Sequence, residues 1–291
     1  MLSAMMILRR TVSMLFGELP SIFDHHKPWL VITGAGISLN SGIPTYRDDN
    51  GDWRRCEPIR HYEFIQYEDM RKRYWARSAV GWPPVERAQP NDVHYALAEL
   101  ERRGYIAGLI TQNVDRLHQR AGQENVIDLH GRLDRARCLQ CGQYEDRRQV
   151  QVRLLERNSF LAPLAAELAP DGDAYVEDDM TERMILVNCL SCDGILMPDV
   201  VFFGGAVPKL TNLATAQLYA QSNGVLVVGS SLMVYSGFRF CKLAKQDGKP
   251  LMVINRGKTR ADDIADYKIA RDCRPVLSDL ADHCALHPTI K

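Results

Sequence analysis

Residues 29–38, WLVITGAGIS, set a five-residue apolar run directly against a glycine turn. A short buried strand that feeds a phosphate-binding loop has this form. Glycine carries no Cβ, so Gly34 and Gly36, with Ala35 between them, let the backbone close on a pyrophosphate. A helix starting there would offer its free N–H groups to the charge, with Ser38 in its first turn. The dinucleotide fingerprint of hydride-transferring enzymes is G-x-G-x-x-G, and Leu39 occupies the place of its third glycine. Gly42 and Pro44 then cut the helix short. The next stretch, SGIPTYR (41–47), puts an aromatic and a cation in a loop beside the turn. A lid over a dinucleotide that is cleaved suits these residues better than a platform for hydride transfer.

Outward from this turn, strands and helices alternate. YIAGLIT (105–111), NVIDLHG (125–131), GVLVVGSS (224–231) and PLMVINRG (250–257) read as buried strands. PNDVHYALAELERRG (90–104) reads as a helix capped by Asn91 or Asp92, with Val93, Leu97 and Leu100 on one face and Gly104 closing it. LTNLATAQLYAQS (210–222) and GFRFCKLAKQDG (237–248) are further helices, one or two more lie between Arg60 and Gly81, and another falls near Glu145–Arg157. Alternation of this kind predicts an α/β fold with a Rossmann-like, doubly wound parallel sheet. The expected division is a Rossmann-like domain from residues 1–45, 90–131 and 198–291. A cofactor loop and helical module spans 46–89, and a four-cysteine module is inserted at 132–197. PDVVFFG (198–204) is expected as a strand edge of the resumed α/β rhythm.

Lys+Arg and Asp+Glu both number 36, so there is no basic surplus to grip nucleic acid. No stretch is long and apolar enough to span a bilayer. The first residues, MLSAMMILRRTVSMLF, combine Arg9 and Arg10 with an apolar background and read as an amphipathic helix packed on the domain. A mitochondrial presequence is the alternative, so the expected location is a bacterial-type cytoplasm with the mitochondrial matrix second.

Four of the eight cysteines fall in two C-x-x-C pairs, Cys138/Cys141 and Cys189/Cys192. Two such knuckles complete a tetrahedron of thiolates around one Zn2+. Four protein ligands leave no position open for water, so the metal is expected to be structural. A nucleic-acid-binding zinc ribbon is the weaker alternative, given the neutral composition.

The loops that follow the strands carry the candidate chemistry. Gly229, Ser230 and Ser231 follow VLVV and suit phosphate or ribose, and Asn255 follows LMVI, where its amide can read a ribose or adenine. Asn113 and Asp115, in QNVD (112–115), alternate toward one side and can hold a carboxamide. His130 follows VIDL and is the candidate base; His118 lies in a helical stretch and ranks below it.

Taken in order, GAGIS…SGIPTYR, TQNVD, LHG, the two C-x-x-C pairs, PDVVFFG, VVGSSL and IN resemble the sirtuins, from about Trp29 to Cys284. RYWARSAVGWP (73–83), LAPDGDAYVEDD (168–179) and VYSGFRF (234–240) resemble the class II branch represented by mitochondrial sirtuin-4, linked to lipoamidase and ADP-ribosyltransferase activity. The resemblance implies an NAD-dependent protein-lysine deacylase that consumes NAD, releases nicotinamide and forms O-acyl-ADP-ribose, with acyl-lysine proteins as substrates. It makes His130 the general base, places Asn113 and Asp115 in the nicotinamide pocket with Ile43 nearby, and sets Gln112 on the ribose. Tyr46 and Arg47 fall in the mobile cofactor loop, Cys273 matches a late NAD contact, and Val201–Phe203 would pair with the substrate backbone as an added strand. Tyr74 and Arg77 resemble the pair that receives an acidic acyl group, Arg77 by two hydrogen bonds, which predicts a preference for longer or acidic chains over acetyl. The chain departs from the common pattern at Gly205, where an acid is usual, at Tyr46, where Phe is commoner, and at Met197, where many relatives carry Arg. The rivals are mono-ADP-ribosyl transfer from the same NAD site, a non-enzymatic NAD-sensing zinc module and a dehydrogenase. The residues do not fix an oligomeric state.

Overall fold

Side-chain alternation builds the large lobe. The computed structural model describes residues 15–46, 58–164 and 171–286. In chain order these form α1 (Leu15–His25), β1 (Trp29–Thr33), α2 (His61–Gln66), α3 (Glu68–Arg87), α4 (Asp92–Arg102), β2 (Ile106–Thr111), α5 (Leu117–Arg120), β3 (Val126–Asp128), β4 (Gly131–Cys138) and β5 (Tyr144–Asp146). There follow α6 (Arg147–Arg157), α7 (Asp178–Glu182), β6 (Leu196–Val200), α8 (Lys209–Ala220), β7 (Gly224–Val228), α9 (Tyr235–Gln246), β8 (Leu251–Ile254), β9 (Tyr267–Ile269) and α10 (Cys273–Leu286). Six strands form one sheet in the order β3-β2-β1-β7-β8-β9, all parallel. That is the doubly wound order, and its connections reverse direction between β1 and β7.

Both faces of this sheet are covered, which is why its central strands β1, β7 and β8 are apolar at nearly every position. Trp29, Val31, Leu226, Val228, Met252 and Ile254 pack toward α1, α4 and α10. Leu30, Ile32, Val225, Val227, Leu251 and Val253 pack on the opposite side toward α8 and α9. Asn91 caps α4, its side chain accepting from Val93 N at 3.0 Å, and Val93, Leu97 and Leu100 bury the expected face. The edge strand β9 escaped the sequence reading because three residues of half-polar sequence carry no periodicity.

The small lobe departs from the expected division. β6 pairs antiparallel with β4, and β5 lies on β4's other side, so PDVVFFG begins inside the small sheet and is no edge of the large one. A boundary at 197/198 cuts β6 in two; the cysteine knuckles hold that strand beside β4. The helix expected from Glu145 is preceded by β5, and Asp146 caps α6 by accepting from Arg148 N at 2.8 Å. The helical module and the cysteine module also share one core, in which Phe64, Trp75 and Ala79 meet Val150, Leu154 and Leu196. Arg147 is fully buried there, its guanidinium 5.3 Å from the Trp75 ring centre and 4.7 Å from that of Trp82. It donates to Gln151 Oε1 at 2.7 Å and Ser78 Oγ at 3.1 Å, and burial pulls its pKa down to about 10.

Residues 1–14, including Arg9 and Arg10 of the targeting alternative, lie outside the described residues. Leu19 and Phe23 of α1 join the core of the large lobe. No helix among the described residues is long and apolar enough to cross a membrane.

Beneath β1 the buried rings of His94 and His118 meet edge to face, with centres 5.0 Å apart. Asn91 N donates to His94 Nδ1, and His118 bonds Thr33 Oγ1 at 3.0 Å and Gln123 Oε1 at 3.1 Å. Burial lowers both, His94 to about 4 from an ordinary 6.5. A histidine with a depressed folded pKa stabilises the fold above its unfolded value and loses that contribution as pH falls toward the folded one. Unfolding stability should therefore drop by about 3 kcal/mol for His94 alone between pH 6.5 and 4, with more from His118. Urea titrations across that range check this, and His94→Leu should flatten the slope; an unchanged slope contradicts it.

Candidate active site

Every strand of the large sheet delivers its carboxyl end to one cavity of about 450 Å³ between the lobes. β1 contributes Gly34, Ala35 and Gly36, β2 contributes Gln112 and Asn113, and β3 contributes His130. β7 adds Gly229, Ser230 and Ser231, β8 adds Asn255, and the turn after β9 adds Cys273. The small lobe closes the other side with Tyr46, Tyr74, Asp171, Asp173 and the run from Val200 to Gly205. A cavity at the carboxyl edge over the β1/β7 reversal is where a doubly wound sheet binds its ligand.

The glycines bring the turns after β1 and β7 together. Gly36 N donates to Gly229 O at 2.8 Å. A Cβ on Gly36 would lie 2.7 Å from that oxygen, and one on Gly34 would lie 2.8 Å from Ser230 Cβ. Both are closer than real Cβ atoms come, so these two glycines are required for the approach. The helix after the turn is a seven-residue 3-10 segment, Ala35–Ser41, ended by Gly42 in a left-handed conformation (φ 83°). Asn91 Nδ2 ties it to α4 through Ile37 O at 2.8 Å and Ser41 Oγ at 2.9 Å.

A polar network lies along the floor. Gln112 Nε2 donates to Thr33 O at 3.1 Å and Ser230 Oγ at 2.7 Å. Asn113 Nδ2 donates to Gly34 O at 3.1 Å and Ser38 Oγ at 3.2 Å. Ser38 Oγ in turn donates to Asp115 Oδ2 at 2.7 Å, and Asp115 Oδ1 accepts from Leu117 N at 2.9 Å. Ser38, Asp115 and Ile43 stand behind the lining and hold it; Ile43 packs with Trp82, Val114 and Leu133. Burial pushes the Asp115 carboxyl up.

His130 is set by its partners. Its Nδ1 lies 3.1 Å from Gln112 O, and a carbonyl only accepts, so Nδ1 carries the proton. Nε2 therefore presents a lone pair, 2.7 Å from Ser236 Oγ. Burial lowers the pKa, partly offset by the Gln112 carbonyl, and keeps the ring neutral. A neutral imidazole with one nitrogen pinned and the other in a cavity is a proton acceptor. His118 is no rival, since both its nitrogens are bonded inside the core.

Several expectations change. Arg77 does not line the cavity: it donates to the Asp173 carboxylate, which does, and to Ala174 O. Tyr74 does line it, partly buried against Phe64 and Phe202. The regular strand ends at Val200; Val201 N donates to His130 O at 2.8 Å, and Phe203 O accepts from His61 N at 2.9 Å. Val201 and Phe203 border the cavity, with those two backbone groups already paired inside the chain. Burial raises the Cys273 thiol to about 11. Arg47 lies outside the described residues. Asp171, Asp173 and Ser236 were missed as site residues, although they lie in LAPDGDAYVEDD and VYSGFRF; the stretches were noticed, but nothing in their spacing said that they reach the cavity.

The four cysteines converge apart from this chemistry. Their sulfurs lie within 4.8 Å of one another, with Cys138–Cys192 at 3.5 Å and Cys141–Cys189 at 3.7 Å. A Zn2+ with four thiolates at its ordinary bond length spaces them about 3.8 Å apart. The set fits one structural zinc, bridging the strand end of β4 to the turn before β6.

The Sir2 family model matches residues 34–236. The chain is 49% identical over 263 residues to the NAD-dependent protein deacetylase of Xanthomonas axonopodis pv. citri, covering 90% of this chain and 89% of that protein. It is 49% identical over 264 residues to NAD-dependent protein deacetylase 2 of Bradyrhizobium diazoefficiens, covering 90% and 96%. Among solved structures, a Sir2–p53 peptide–NAD+ complex matches with a TM-score of 0.74 at 28% identity, over 92% of this chain and 98% of the other. A Sir2 homolog–NAD complex matches with a TM-score of 0.72 at 30% identity, over 94% and 95%. The chain belongs to the Sir2 family, the sirtuins.

Cys189→Ser should reduce bound zinc well below one ion per chain and let the small lobe melt before the large one. Metal analysis and a thermal melt followed by tryptophan fluorescence measure it; unchanged zinc content would exclude the four-thiolate site.

Proposed function

We propose that this chain is an NAD-dependent protein-lysine deacylase that passes the acyl group to ADP-ribose. The single observation that carries this is the neutral, Nδ1-protonated His130 opening on the same cavity as all six strand ends. NAD, consumed as co-substrate, supplies the ribose carbon that takes the acyl oxygen as nicotinamide leaves. The residues fit it: Gly34, Gly36 and Gly229 leave room for a pyrophosphate, Asn255 and Ser231 border the ribose side, and Asn113 offers an amide to the carboxamide. Asp115 acts through Ser38 and Asn113, whose positions it holds. His130 receives a proton from a ribose hydroxyl after nicotinamide has gone. Val201 and Phe203 border the place where an acyl-lysine peptide enters. The bacterial relatives support a cytoplasmic setting and give the mitochondrial one nothing.

Acyl preference follows from Arg77. With its guanidinium held by Asp173, and with Asp171 also on the cavity wall, that end carries acidic groups in excess. Burial raises both carboxyls, and the neighbouring Asp171 charge raises that of Asp173 further. Uncharged chains, acetyl through lipoyl, fit such a wall; carboxylate-ended chains do not.

His130→Ala should cut O-acyl-ADP-ribose formation by roughly 10²–10⁴-fold while NAD binding survives. Mass spectrometry of an acetyl-peptide reaction and calorimetry with NAD decide it, and full activity in the variant would end the proposal. On a panel of acyl peptides, acetyl or lipoyl should turn over faster than succinyl and glutaryl. Asp171→Asn should narrow that gap by roughly tenfold; succinyl preferred by the wild type would reverse the assignment.

A further inference from the structure

Ser236 sits where no base needs a partner. It is the second residue of α9, it borders the cavity, and its Oγ is 2.7 Å from His130 Nε2. Because Nδ1 carries the imidazole proton, the hydroxyl must be the donor in this contact. The lone pair assigned to the ribose hydroxyl is thus already engaged by a serine of the same chain. Nor is the contact incidental to packing. The next residue is Gly237, where a Cβ would lie 2.9 Å from the side chain of Gln112. A side chain there would press on the Gln112 amide, which is held against Thr33 O and Ser230 Oγ, so glycine suits the close approach of α9 to the residue whose backbone carbonyl fixes the other nitrogen of His130. Two neighbouring positions therefore bring one hydroxyl to one lone pair.

We propose that Ser236 is a proton relay between the ribose hydroxyl and His130, an inference that rests on the deacylase reading above. The ribose O–H bond breaks and its proton forms a new bond to Ser236 Oγ. In the same movement the original Ser236 proton passes to His130 Nε2. The serine ends as a hydroxyl, the ring as an imidazolium, and the electron pair stays on the ribose oxygen for its attack. The serine also tunes the base. A hydrogen bond donated to the neutral ring favours the unprotonated form and lowers its pKa. The charged side chains that share the cavity are Asp171 and Asp173 from the small lobe, Arg256 and Lys258 after β8, and Arg271 and Asp272 before α10. Burial lowers the pKa of His130 and the Gln112 carbonyl raises it, and none of these charges is a cause of the shift.

Two measurements on Ser236→Ala, Ser236→Thr and wild type test the relay. The first is the titration of His130 in NAD-free protein, followed by NMR of its ring. Ser236→Ala should raise its pKa by roughly half to one pH unit, and Ser236→Thr should restore it. An unchanged value overturns the contact. The second separates the two halves of the reaction with an acetyl peptide. Ser236→Ala should lose roughly ten- to a hundredfold in O-acetyl-ADP-ribose formation, with its acidic limb moved to higher pH, while exchange of labelled nicotinamide into NAD persists. Ser236→Thr should recover most of the loss. A Ser236→Ala enzyme as fast as wild type, or faster, shows that the serine merely fills the lone pair until the ribose arrives, and overturns the relay. Loss of nicotinamide exchange in step with product formation shows a structural role and overturns it equally. If wild type makes no O-acetyl-ADP-ribose, the deacylase reading itself fails, and the NMR titration still judges the contact.

Discussion

The structure turns on the contact between the loops after β1 and β7, where Gly36 N reaches Gly229 O. The sheet reverses its winding there, so two strand ends diverge from a common point and leave a crevice. Side chains at 34 and 36 would fill that crevice with the protein's own atoms. Because they are absent, Gln112 can span from Thr33 O to Ser230 Oγ and present its backbone carbonyl to His130. The placement of His130 thus depends on a close approach of backbone some distance from it.

The small lobe answers a different constraint. Neither the helices before Arg87 nor the short three-stranded sheet could bury its apolar face alone, and together they make one core. The buried Arg147, held against two indole rings, is tolerated there because hydrogen bonds and the ring faces replace water. Four thiolates tie the end of β4 to the turn before β6, with Cys138 and Cys189 buried in that core. Metal and chemistry are kept apart: one braces the lobe, and the other lies where that lobe faces the large sheet.

Much of this was legible in the chain. The strands of the large sheet announced themselves because burial on both faces demands apolar residues throughout, and WLVIT, GVLVV and LMVI allow no other placement. The cysteine pairs did so because metal ligation imposes a fixed short spacing. β9 and β5 were hidden, being three residues long each, too short for a period to show.

The sequence by itself therefore determined the sheet, the zinc-ligand set, the glycine turn and the candidacy of His130, since each is legible within a few residues. Only the tertiary structure decided the rest. It joined residues 58–87, 132–164 and 171–200 into one lobe, turned Arg77 onto Asp173, set Asp171 on the cavity wall and brought Ser236 against His130. Those contacts join residues 96 and 106 positions apart, and no local pattern encodes a distance across the fold. The glycine turn that began the reading marked where a ligand could lie; the meeting of the two lobes determined what could be done to it.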